Sequence, residues 1–151
     1  MIEPLRLSFV VACEPDHAFT TWTRKASSWW PVEHTVSHEA GAEIVFEPHA
    51  GGRIFERAGD GREIEWGKIL DWDPPHRLRY QWHIATDTDH ATDVEIVFHE
   101  LTDSSTRVDI EHSGWERLGD AGQSWRDANR AGWDGVLPYY RASCEVSTIR
   151  G

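Results

Sequence analysis

The sequence predicts an α+β fold in which a curved antiparallel sheet wraps a long C-terminal helix, with two short helices after the first strand. Three observations carry this reading. Leu78, Tyr80, Trp82 and Ile84 alternate with Arg77, Arg79, Gln81 and His83, and strict alternation is the pattern of a half-buried strand. Similar runs recur through the middle of the chain, separated by turn residues, as in an antiparallel sheet with one packed face and one wet face. Near the C-terminus the period changes: Trp125, Ala128, Gly132, Val136 and Tyr140 fall at helical spacing, and Trp133, Leu137 and Cys144 widen the apolar stripe. A one-sided sheet and a one-sided helix each need a cover, and each supplies it to the other.

The elements follow in order. Leu5, Leu7, Phe9 and Val11 alternate with Arg6, Ser8, Val10 and Ala12, so the chain opens with a strand. Glu14-Pro15-Asp16 starts a helix, because proline suits a first turn and acidic residues suit a helix N-terminus. Ala18, Phe19 and Trp22 share one face of it. A second short helix or turn is expected from Lys25 to Trp30, stopped by Pro31, and a loop from Val32 to Gly41. Strands are expected at Ala42–Glu47, Arg53–Arg57, Glu63–Trp72, Leu78–Ile84, Asp93–Leu101 and Thr106–Glu111. Between them stand Gly51-Gly52, Gly59-Asp60-Gly61, Pro74-Pro75, Asp87-Thr88-Asp89 and Asp103-Ser104-Ser105. Ser124 and Asp127 resemble a capping box that starts the last helix. Pro138 predicts a kink or break in it near Asp134.

The length of 151 residues corresponds to one domain, residues 1–151, able to bury a real core. With 15 Lys+Arg against 26 Asp+Glu, the net charge of -11 excludes a nucleic-acid backbone or an anionic membrane surface as a natural partner. No apolar run approaches a membrane span and no signal-peptide core opens the chain, so a cytoplasmic location is expected. Nine tryptophans exceed ordinary core needs, and surplus rings often line cavities or interfaces. Cys13 and Cys144 lack metal or redox spacing and read as small buried residues or free thiols. No motif asks for a cofactor.

Several short motifs stand in a fixed order: Gly51-Gly52-Arg53, Asp60-Gly61, Trp66-Gly67-Lys68-Ile69, Asp73-Pro74-Pro75 with Leu78-Tyr80-Trp82, Thr106-Arg107-Val108 leading to His112-Ser113-Gly114, and Gly132-Trp133 before Leu137. The set resembles the activator of heat-shock-protein-90 ATPase homologue branch of the START-like (SRPBCC, Bet v-type) superfamily, over nearly the whole chain. The resemblance implies a helix-grip fold. It implies no single activity, since relatives include lipid carriers, hormone receptors, polyketide cyclases, self-sacrificing resistance proteins and a co-chaperone domain. The family has no shared catalytic motif to place on these residues. Pro138 departs from the pattern by interrupting the helix that usually lids the cavity.

Strand phase and helix phase aim Trp66, Tyr80, Trp82, His112, Trp133, Leu137 and Tyr140 at one interior. They are the expected ligand-binding residues for a small apolar or aromatic molecule, with a plain aromatic core as the competing reading. His112, in phase with Val108 and Ile110, is either a general acid/base or ligand donor, or a buried histidine tied to a backbone carbonyl. No partner nucleophile is in view, which favours the second. His34 and His38 have zinc-like spacing, but zinc needs three or four converging ligands and a solvated loop is the better reading, with no metal expected. Trp29 and Trp30 cannot both pack alike, so one should face a cleft mouth or a partner subunit, and a homodimer is expected on that ground. Asp71, Asp73, Glu95, Asp109 and Glu111 read as a solvated outer face. Ser124, Ser143 and Cys144 lie in no nucleophile motif, and Gly51-Gly52 leads into no helix and so forms no phosphate loop. Three functions follow: a small-molecule binding protein, a cofactor-free enzyme of polyketide-cyclase or hydrolase type with His112 or a nearby tyrosine as acid/base, and a co-chaperone-like interaction module, which the expectation of one domain sets behind the other two.

Overall fold

The computed structural model describes residues 2–84 and 86–150, with side chains to Glu145. Its strands are β1 (Leu5–Val11), β2 (Glu43–Phe46), β3 (Arg53–Arg57), β4 (Glu63–Asp73), β5 (Arg77–Trp82), β6 (Thr92–Thr102) and β7 (Ser105–Ser113). Helices α1 (Pro15–Trp22) and α2 (Ala26–Trp29) lie between β1 and β2, and α3 (Gly122–Arg150) closes the chain. The seven strands form one antiparallel sheet in the order β1-β7-β6-β5-β4-β3-β2. The sheet curls around α3, which packs on α1, α2 and β1. This is the helix-grip arrangement expected above.

Alternation decides which face is covered. Leu78, Tyr80 and Trp82 are buried while Arg77, Arg79 and Gln81 stay partly exposed, and the same rhythm runs through Val94, Ile96 and Phe98 of β6 and Val108 and Ile110 of β7. Fully burying side chains of this size contributes about 1.5–3 kcal/mol each. The far face carries ion pairs such as Arg77 with Asp71 and Glu95, exposed enough that their net contribution is small. Between sheet and helices, Trp22 is the hub of a ring cluster, its centroid 4.8 Å from Tyr140, 5.5 Å from Trp29 and 5.9 Å from Trp133. The Tyr140 hydroxyl donates to the Ala18 carbonyl at 2.8 Å, which ties α3 to α1.

Four expectations need correction. β5 ends at Trp82 rather than at Ile84, because its pairing with both β4 and β6 stops there. His83 is therefore not a water-facing strand residue: it is buried, and Glu65 accepts a hydrogen bond from its Nε2 at 3.0 Å. The last helix begins at Gly122, so Ser124 lies inside its first turn and is not its cap. Nor does the helix break at Pro138. A helix-interior proline costs about 3 kcal/mol, and the burial of Trp133, Val136, Leu137, Tyr140 and Cys144 along the same stretch outweighs it. The fourth correction concerns the loop after Pro31, which contains a 3-10 turn at Val32–His34. Cys13 and Cys144 are buried. The hydrogen bond to Cys144, together with burial, pushes the Cys13 thiol upward, so it is no nucleophile at neutral pH.

Candidate functional site

Sheet and helix do not meet along their whole length. Near the end of β5 they part, and two adjoining chambers open there with Trp82, Ile84, Asn129 and Gly132 as their shared wall. The inner chamber, about 70 Å³, is completed by Trp30, His34, Trp133 and Val136. The outer, about 220 Å³, is completed by Trp115, Leu118, Trp125, His83, Thr86 and His90. Although the chain has 26 Asp+Glu, among the described residues no carboxylate, lysine or arginine lines either chamber. Rings and aliphatic groups make the walls, and a few neutral polar groups interrupt them.

Glycine creates part of the space. Gly132 lies in the interior of α3, and a Cβ built there would meet nothing within 4 Å. Gly135, one turn on, has the opposite environment: its Cβ would lie 2.7 Å from His34 Nε2 and 3.0 Å from Cε1. The imidazole occupies the room that a side chain at 135 would take. His34 thus turns against α3 and lines the inner chamber, whereas Glu33, Val36, His38 and Glu39 around it are exposed, as expected of a solvated loop. His38, at φ 57°, is exposed on the other side of the turn. Among the described residues no group of three or more His, Cys, Asp or Glu converges.

Of the seven residues expected to bind ligand, Trp82 and Trp133 line the inner chamber. Trp66, Tyr80, His112 and Tyr140 are at most 1% exposed and stand behind that wall, in the packed core. Leu137 borders a separate surface hollow with Phe9, Pro138 and Arg141. Trp30 resolves the Trp29-Trp30 question. Trp29 packs inward and its Nε1 donates to the Thr21 carbonyl at 2.7 Å, whereas Trp30 stacks near Trp66 and Trp82, centroids 5.1 and 6.0 Å away, and faces the cleft.

His112 is held in one protonation state. Trp133 Nε1 donates to its Nδ1 at 3.1 Å, so Nδ1 presents a bare lone pair. The neutral ring then carries its proton on Nε2, which donates to Thr92 Oγ1 at 2.6 Å, and Thr92 donates in turn to the Trp82 carbonyl at 3.3 Å. Burial holds the imidazole down to about 3. The anchor is therefore a threonine and an indole rather than a backbone carbonyl. What the network does is fix the Trp133 ring, one wall of the cleft, against β6 and β7.

Glu56 was not singled out by sequence, yet its phase with Ile54 puts a carboxylate on the inner face of β3. It is fully buried. Burial alone would push the carboxyl up, but hydrogen bonds from Ser37 Oγ, Val36 N (2.8 Å), Ser37 N (3.0 Å) and Trp66 Nε1 (3.2 Å) outweigh it and hold the group below its usual range. The carboxylate clamps residues 36–37 to the sheet, and through them the turn that carries His34.

Residues 12–138 match the family described as Activator of Hsp90 ATPase homolog 1-like protein. Among solved structures the chain is similar to an anthrahydroquino-gamma-pyrone synthase, Txn09, complexed with SUM, at 38% identity over 82% of this chain and 84% of that one, with a TM-score of 0.60. It is also similar to the self-sacrificing resistance protein CalC from Micromonospora echinospora, at 26% identity over 96% of each chain and a TM-score of 0.76. DynU16, a putative protein of the dynemicin biosynthetic locus, shares the fold at 15% identity, TM-score 0.67, over 97% of this chain and 49% of that one. No curated protein matches the chain in sequence.

Proposed function

Because the chain belongs to the Activator of Hsp90 ATPase homolog 1-like family, we propose that it holds a flat, fused-ring aromatic molecule in the double cleft between the end of β5 and α3. One observation carries this reading: in a strongly acidic protein, the cleft is walled by tryptophans and, among the described residues, lined by no Asp, Glu, Lys or Arg. Flat indole walls favour a flat apolar guest, which gains from ring contact as well as from burial. That a relative 38% identical is an anthrahydroquino-gamma-pyrone synthase supports a guest of the same general shape.

Neither chamber alone, at about 70 and 220 Å³, reaches the ~300 Å³ of a usual small-molecule site. A fused-ring guest spans both, with the partly exposed Trp30 at its edge. Trp82 and Trp133 touch the guest directly. Trp66, Tyr80, His112 and Tyr140 form the second row that keeps those walls in place, and Leu137 takes no part. Native mass spectrometry of protein purified from its own host tests the reading: a retained aromatic molecule is expected, lost in Trp82→Ala. Retention of the same molecule by the variant would place the site elsewhere.

A second reading has one observation in its favour. The Txn09 relative is a synthase, so the guest could be converted as well as held, by a cofactor-free cyclase. Recovery of the guest unchanged after prolonged incubation separates the two. A cytoplasmic homodimer is carried with either reading. Among the described residues no helix is long and apolar enough to cross a membrane, and a monomer mass in light scattering at micromolar concentration would remove the dimer.

A further inference from the structure

Resting on the proposed aromatic guest, we propose that His34 is the polar contact that orients it, and that the guest therefore bears a hydroxyl or carbonyl oxygen on the edge lying against the turn Val32–His34. The inner chamber holds few polar groups. Three indole N–H groups line it, and two are already committed: Trp30 donates to the His34 carbonyl at 3.1 Å and Trp133 to His112 Nδ1 at 3.1 Å. The Asn129 amide nitrogen spends one of its two N–H groups on the Trp125 carbonyl at 2.9 Å, which ties that side chain back to its own helix. The Trp82 indole can only donate. The His34 ring lines the chamber and has no hydrogen-bond partner among the described residues; with its Nε2 edge against Gly135, Nδ1 is the atom left to meet a guest oxygen, as donor or acceptor according to the tautomer.

The surroundings of His34 are arranged to hold that ring in place. Its carbonyl is fixed by Trp30, the neighbouring turn is clamped by Glu56 through Val36 and Ser37, and its ring edge sits in the notch left by Gly135. A glycine in a helix interior is unfavourable relative to alanine, and the notch has no other occupant than the imidazole. An apolar wall could be built without this arrangement. Here it sets a polar ring edge in that wall, opposite the indoles.

The test compares guests that share a ring system and differ in oxygen: anthracene, 9,10-anthraquinone and 1,8-dihydroxyanthraquinone, titrated against wild type, His34→Phe and Gly135→Ala by quenching of tryptophan fluorescence. Phenylalanine keeps the flat shape and removes both nitrogens. His34→Phe should weaken the two oxygenated probes about tenfold, the worth of one net hydrogen bond, and leave anthracene unchanged. Gly135→Ala should reproduce that pattern by expelling the ring from its notch without loss of fold, because only the far end of a side chain has to move. Equal effects on all three probes, or none, would overturn the role of His34 while leaving the aromatic site intact. Failure of every probe to bind wild type would overturn both.

Discussion

Gly132→Ala separates what the fold needs from what the cleft needs. A Cβ at this position meets nothing within 4 Å, so the added methyl strains no packed neighbour. Alanine is favoured over glycine in a helix interior by about 0.5–1 kcal/mol, and the variant should be more stable by that amount. For a chain of this size it corresponds to a rise of about 1–4 °C in Tm, read by circular dichroism and checked by urea titration. The same methyl projects into the wall shared by both chambers, the inner one only about 70 Å³. Overpacking of a fitted site costs about 1–3 kcal/mol, so affinity for 1,8-dihydroxyanthraquinone should fall roughly tenfold or more. Greater stability with weaker binding is the expected pair. A destabilised variant would show that the space beside Gly132 is filled, and unchanged binding would show that the guest does not pass between α3 and β5.

Three further outcomes follow from the core and its clamps. Tyr80→Ala removes a buried ring that contacts Phe46 and Trp82, centroids 6.0 and 5.6 Å away, and should cost about 3–5 kcal/mol in a urea titration, whereas Arg79→Ala should stay within about 0.5 kcal/mol; equal losses would mean the strand phase is wrong. For His112 the native imidazole is held down to about 3, while in the unfolded chain it takes up a proton near 6.5. Its contribution is thus complete above about pH 6.5 and is lost as pH falls toward 3, with a slope of up to about 1.4 kcal/mol per unit that His112→Gln should lack. Glu56→Gln puts an amide where four donors converge, which should cost about 1–3 kcal/mol and speed amide exchange at Val36 and Ser37. Unaltered protection there would mean that the carboxylate does not hold the loop.

How far the sequence reaches is visible in particular residues. The strands were legible because period-two alternation is enforced by one covered face, and Leu78, Tyr80 and Trp82 obey it to the last paired residue. Strand ends were less legible: β5 stops where its neighbours stop pairing, which local pattern does not encode. Phase alone aims Trp82 and Trp133 at the cleft they line. Phase cannot tell which inward residues border the opening and which, like Trp66, Tyr80, His112 and Tyr140, are packed behind it. His34 was hidden because its role depends on a notch 101 positions away, at Gly135. A signal existed: two glycines one turn apart within an otherwise continuous amphipathic helix, a local cost that calls for a local use. Glu56 had a signal too, an acid in phase with Ile54 on the inner face of a strand.

The claim that a flat aromatic guest sits between Trp30, Trp82 and Trp133 is tested most directly by the indole N–H signals of ¹⁵N-labelled protein during titration with 1,8-dihydroxyanthraquinone. Ring currents from the guest should shift the Trp30, Trp82 and Trp133 signals, assigned by single substitutions. Trp22, which is fully buried away from the chambers, should stay in place. Shifts confined to tryptophans outside the cleft, or no shift at saturating probe, would contradict the account.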